Sequence, residues 1–180
     1  RRPMHTSHAA FVVLKFGGTS VSSVANWRNI RDVLKQRLAE GVRPVVVHSA
    51  LSGITDRLEG LLGAALAGEP GPALAQIEER HAKLAAELGI ELPPGVRRQL
   101  AELGTIAAGV ALVKEVSDRV RARVMAAGEL MATDLGVAWL ATQGLDVEWV
   151  DARTVLCAEE RKGASEKAGI LSATCDFAPD

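Results

Sequence analysis

A chain of 180 residues is long enough to bury a real core within one domain. Its hydrophobic fraction of 48%, charged fraction of 24% and net charge of -1 are ordinary for a globular protein, and nothing in them steers it toward nucleic acid or a membrane surface. Aromatic residues make up only 3% and tyrosine is absent, which argues against a base-stacking surface for single strands.

Residues 1–10 carry no apolar core of their own and read as a disordered lead-in rather than a secretory signal. Phe11 to Phe16 (FVVLKF) is a short apolar run closed by Gly17 and Gly18, the pattern of a buried strand. Ser20, Ser22 and Ser23 offer helix caps, and Val24, Trp27, Ile30, Leu34 and Leu38 then recur at helical spacing up to Gly41. Val45 to Val47 reads as a second buried strand, stopping at Ser49-Ala50-Leu51-Ser52-Gly53. A helix is expected from Thr55 to Ala67, broken by Gly68-Glu69-Pro70-Gly71-Pro72. Three more helical stretches follow, Ala73 to Leu88, Pro94 to Ala108 and Leu112 to Thr142, the last expected to kink or break near Gly128 or Gly136. Asp146 to Val150 reads as a third strand and residues 159–169 as a mobile polar loop. Leu171 to Phe177 reads as a short strand, and Pro179-Asp180 as the first turn of a helix. No apolar run reads as long enough to cross a bilayer. Cys157 and Cys175 lack metal-ligand spacing, so no metal site is expected, and they read as reduced thiols of a cytoplasmic protein.

Strands alternating with helices predict an α/β fold whose parallel sheet is joined by right-handed crossovers. Ligands of such sheets bind beyond the carboxyl ends of the strands, where three polar clusters fall: Lys15 to Ser20, Ser49 to Thr55, and Asp151 to Arg153. In the first, Gly17 and Gly18 let backbone approach a ligand, the helix start behind them favours anions, and Lys15 adds a positive charge. It is neither a Walker A loop nor GxGxxG, and a plain tight turn with a surface lysine fits it as well. The hydroxyls of the second cluster either hold a small polar substrate or cap a helix. Glu129 shares a helix face with Ala122, Met125, Ala126, Thr133 and Gly136, so its carboxylate is expected to be buried. It would then need a bound ammonium or an ion pair with Arg121 or Arg123. Asp151 and Arg153 read first as an internal ion pair that holds a loop.

Together these stretches resemble the aspartokinase branch of the amino acid kinase family. Lys15 to Val21 reads KFGGTSV, similar to its opening signature, and Ser49 to Asp56 reads SALSGITD, similar to its second motif. Gly128-Glu129-Leu130-Met131 resembles its GE helix, and Asp151-Ala152-Arg153 its DAR stretch. His48 departs from the pattern, which is usually apolar or small at that place. The Trp27-Arg28-Asn29-Ile30 segment is similar to fusions with diaminopimelate decarboxylase.

The resemblance implies a parallel-sheet three-layer sandwich, with residues 11–180 as the N-terminal, substrate-side lobe. It implies phosphoryl transfer from ATP, carried with Mg2+, to the side-chain carboxylate of L-aspartate, the first step toward lysine, threonine and methionine. Lys15 would contact the phosphoryl group, and Gly17, Gly18, Thr19 and Ser20 would line the phosphates. Ser49 and Thr55 would help hold aspartate, and Glu129 would bind its α-ammonium. A homo-oligomer without nucleic acid or membrane partners is expected. The family's GRGGSD-type stretch, nucleotide half and ACT domains are not found in these residues. The alternative is a non-catalytic module that binds an amino acid or a partner chain.

Overall fold

The computed structural model describes residues 10–156. The expected loop at 159–169, the strand at 171–177, the turn at 179–180, Cys157, Cys175 and nearly all of the lead-in lie outside the described residues.

Phe11–Phe16 (β1) leads through a 3-10 turn at Gly18–Val21 into a helix at Val24–Ala39 (α1), which returns to Arg43–His48 (β2). The two strands pair in parallel, Phe11 opposite Arg43 and Phe16 opposite His48. Four helices follow at Ile54–Ala67 (α2), Gly71–Glu87 (α3), Pro94–Val113 (α4) and Asp118–Thr142 (α5), then one turn at Ala152–Val155 (α6). Strands followed by crossover helices, and a parallel sheet, are what the alternating pattern predicts.

Both strands form where expected, but they are not buried on both faces. Leu14, Phe16 and Val46 pack on the core, while Phe11, Val13, Val45 and Val47 are exposed, Phe11 and Val13 by two thirds (66% and 67%). Side chains alternate along a strand, so among the described residues helices cover one face of the sheet and leave the other bare. The core lies between that covered face and the helices. Trp27 of α1 is its pivot: fully buried, it donates from Nε1 to the Val21 carbonyl at 2.8 Å and meets Trp139 of α5 edge-on.

The third strand does not form. Residues 146–150 make no ladder bonds among the described residues, and Trp149 instead donates from its indole N–H to Thr133 Oγ1 of α5 at 2.9 Å. A segment of strand-like composition becomes a strand only by pairing with a sheet edge, and among the described residues this one is tied to α5 through Trp149 instead.

Nor does the long helix break at a glycine. α4 runs on to Val113 and ends where Lys114 takes a left-handed backbone (φ 56°), its N–H bonding the Val110 carbonyl. After a short connection Ser117 caps α5, which continues unbroken through Gly128 and Gly136. Those glycines are close-approach points. A Cβ on Gly128 would fall 2.9 Å from Ala50 Cβ, and one on Gly136 would strike the Trp27 ring. α4 has no cap of its own; Asp134 of α5 supplies it, accepting from the Val96 N–H at 3.0 Å.

α5 is also long and apolar enough, by length and composition, to cross a membrane, contrary to the expectation from sequence. Half of its apolar window (50%) is buried within the molecule, and Ala127, Met131, Leu135 and Trp139 belong to the core, as in the central helix of a packed domain.

Candidate active site

The parallel pairing sets the carboxyl ends of β1 and β2 side by side, so the first two polar clusters become neighbours. Gly18 lies against the second cluster: a Cβ there would fall 2.7 Å from the Ala50 carbonyl oxygen, a backbone atom that cannot give way. Ser22 ties the two together. Its hydroxyl donates to the Gly18 carbonyl at 2.5 Å and accepts from the Ser52 N–H at 2.8 Å. Arg80 of α3 reaches in to donate to the Ser22 carbonyl at 3.0 Å. The glycine pair leads into the 3-10 turn rather than directly into α1, whose cap is Ser23, accepting from the Asn26 N–H. Of the three candidate caps, then, Ser23 caps and Ser22 cross-links.

Lys15 is exposed and pairs in register with Val47. By strand alternation it leaves the sheet on the bare face, away from Phe16 and His48. Thr19 is exposed and Ser20 half-buried in the turn, where the Ser20 N–H donates to the Gly17 carbonyl at 3.0 Å. Ser49 is half-buried just past β2, and its N–H extends the ladder to the Phe16 carbonyl. Thr55 is exposed in the first turn of α2. Neither hydroxyl caps that helix, which starts from Gly53 in a left-handed conformation (φ 78°) without a side-chain cap. Helix capping therefore does not account for Ser49 and Thr55.

Glu129 joins the same end. From α5 its Oε1 accepts from the Ala50 N–H at 3.3 Å. Gly128 makes this possible, because only a residue without Cβ lets α5 approach Ala50, Ile54 and Leu58 so closely. The expectation of a buried carboxylate is corrected: Glu129 is exposed. Around it Ala127, Gly128, Met131 and Ala132 are the buried residues, Gly128 against Ala50 and α2, while Glu129 is open to water. The ion pair considered for it does not form, since Arg121 pairs with Glu59 and Arg123 with Glu102 at 2.6 Å.

His48 closes β2 beneath this cluster. It is buried, its Nδ1 lies 3.0 Å from the Ser49 carbonyl oxygen, and its ring meets Trp27 edge-on with centroids 5.5 Å apart. Burial pushes its pKa down, while the Ser49 carbonyl and the charge of Glu129 pull the other way.

The third polar cluster stays apart from these contacts. Arg153 grips Asp151 with its guanidinium at 2.6 Å, and Asp151 caps the single turn of α6 through the Arg153 N–H. Its hydrogen bonds from Arg153 lower the Asp151 pKa. The pair is the loop-holding ion pair that the sequence suggests, although the arginine is exposed. No cluster of three or more metal-ligating side chains occurs among the described residues.

Sequence reasoning passed over Ser22 as a cross-link and His48 as part of the site. Ser22 carried a signal, since a serine four residues after the glycine pair is a hydrogen-bonding candidate. For His48 the signal was its departure from an apolar pattern.

A strand-end site of this kind, on a β–α–β unit with parallel strands, is one of nucleotide- and small-ligand-binding α/β proteins. The family model that matches residues 10–171 is the amino acid kinase family, and the chain belongs to it. Among similar proteins, the aspartokinase of Chlamydia trachomatis is 31% identical over 159 residues, covering 88% of this chain and 34% of that one. The chloroplastic aspartokinase 1 of Arabidopsis thaliana is 32% identical over 78% of this chain and 25% of that one. The lysine-sensitive aspartokinase 3 of Escherichia coli is 31% identical over 86% of this chain and 34% of that one. Of solved structures, E. coli aspartokinase III in complex with aspartate and ADP superposes with a TM-score of 0.71 at 26% identity, covering 93% of this chain and 35% of that one. Its complex with lysine and aspartate gives the same score. The chain therefore spans between a quarter (25%) and about a third (34%) of the length of these relatives.

Proposed function

We propose that the protein is an aspartate kinase and that this chain carries its substrate-side lobe, transferring a phosphoryl group from ATP to the side-chain carboxylate of L-aspartate. The observation that carries the reading is the meeting of Gly18, Ala50 and Glu129 at the strand ends, built from three separate stretches of sequence. The aspartate and ADP named with the E. coli structure support the substrate and nucleotide. Glu129 binds the α-ammonium, Ser49 and Thr55 hold the amino acid, and Gly17, Gly18, Thr19 and Ser20 line the phosphates. Lys15 offsets charge on the phosphoryl group in flight. ATP brings Mg2+ with it, which would shield the same phosphates. A carboxylate is already nucleophilic at neutral pH, so in-line positioning and charge neutralisation suffice, with no strong base and no covalent intermediate. The working form is a cytoplasmic homo-oligomer acting in lysine biosynthesis.

Steady-state kinetics of the full-length protein test this reading. Glu129→Gln raises the aspartate KM strongly and leaves the ATP KM unmoved. Lys15→Ala lowers kcat by about two orders of magnitude or more, the scale of one lost transition-state donor. Unaltered aspartate KM in the first variant, or normal kcat in the second, removes the corresponding role.

A further inference from the structure

His48 and Glu129 hold opposite ends of one peptide unit. The Ser49 carbonyl, which can only accept, lies 3.0 Å from His48 Nδ1, so this bond requires the tautomer with a proton on Nδ1. The N–H of the same peptide is that of Ala50, and it donates to Glu129 Oε1 at 3.3 Å. Donation into a carbonyl polarises its amide and strengthens the N–H at the far end.

The ring that begins this relay cannot swing freely. It is only 8% exposed and is set at 85° to Trp27, which is itself tied to the Val21 carbonyl. At the other end the Glu129 side chain is exposed, and Ala50 is its one hydrogen-bond donor among the described residues. Among the described residues no donor reaches the second carboxylate oxygen, which leaves it for a ligand.

The geometry points to His48 as a positioning residue that, through the Ser49–Ala50 peptide, holds the Glu129 carboxylate ready for the ammonium group of an amino acid. The inference rests on the assignment of Glu129 to that ammonium. His48 does not touch the substrate. It sets the plane of the peptide that orients the group which does.

Kinetics with aspartate and Mg-ATP in the full-length protein, together with nitrogen NMR of the His48 ring, form the test. His48→Leu removes the donor and keeps an apolar filling. It raises the aspartate KM about five- to tenfold, the size of one lost hydrogen bond, without moving the ATP KM. His48→Asn, whose amide N–H stands near the place of Nδ1, restores most of that loss. In a Glu129→Gln background His48→Leu adds nothing further, because the effect travels through Glu129. If Glu129→Gln raises the aspartate KM and His48→Leu does not, the positioning role is overturned while the Glu129 assignment stands. If Glu129→Gln has no effect, the assignment fails and the relay falls with it. Equal rises in both KM values, unrescued by asparagine, make His48 a packing residue. A ring carrying its proton on Nε2 at neutral pH overturns the proposal without any variant.

Discussion

At the sheet end and in the helical layer, the molecule buries a histidine in two different settings. His48 donates to a carbonyl, lies beside a carboxylate and keeps slight contact with solvent. His81 of α3 is wholly buried, bonds the Ile77 carbonyl at 2.8 Å and leaves Nε2 without a partner among the described residues. Burial lowers both pKa values, but only at His48 does a neighbouring negative charge resist it; at His81 the nearby Arg80 lowers it further. The sheet end is assembled from backbone groups, hydroxyls and a carboxylate, with glycines allowing close approach. The helical layer is assembled from leucine, isoleucine and alanine faces, where a polar atom finds little company. The first arrangement can hold a ligand; the second holds the chain together.

The largest effect that separates the two regions comes from the helical layer. Leu84 of α3 is fully buried. Leu84→Ala removes buried methyl groups and leaves a cavity, costing about 2–5 kcal/mol in urea unfolding. Below its unfolding transition the full-length variant keeps a normal aspartate KM. A changed KM in the folded variant means that the two regions are not separable.

Gly128→Ala tests the sheet end from its tightest contact. The new methyl meets Ala50 Cβ at 2.9 Å and Leu58 Cδ1 at 3.1 Å, so helix and loop must part. The cost is about 1–3 kcal/mol of stability. Unlike Leu84→Ala, it raises the aspartate KM as well, because Ala50 and Glu129 move apart. A loss of stability with unchanged aspartate KM breaks the comparison.

The smallest effect is one of pH. His81 titrates near 6.5 when the chain is unfolded and lower when it is folded. As pH falls below 6.5 the unfolded state takes up the proton first, so the stability present above that pH is lost progressively through the folded pKa. His48 contributes with the same sign. His81→Leu therefore flattens the decline of the urea midpoint on the acid side, leaving the part due to His48. An unchanged slope in that variant assigns the decline to other groups.

Much of the fold was legible because its signals are local. The two strands closed by polar or glycine residues, the helical stripe of Trp27, Ile30 and Leu34, and the breaker between Gly68 and Pro72 each act over a few residues. The misread places lack such a signal or carry a deceptive one. Lys114 ends α4 in a conformation usually left to glycine, while the true glycines lie inside α5. Those glycines serve Ala50 and Trp27, residues remote in sequence, and the helix passes through them unbroken. DVEWV has the composition of a strand, but composition does not say whether an edge stands free beside it.

The sequence by itself determined the first two strands and the helix between them, the polar clusters that follow each strand, and the family to which KFGGTSV and SALSG point. Periodicity and turn chemistry carry that information along a few residues at a time. Only the tertiary structure decided that Glu129 stands exposed and unpaired with Arg121 or Arg123, and that one sheet face stays bare among the described residues. It alone turned His48 and Glu129 toward opposite ends of a single peptide. Ala50 and Glu129 are 79 positions apart, and their bond depends on how closely α5 approaches the loop after β2. That approach is set by side-chain volumes on several elements at once, which no local pattern of residues records.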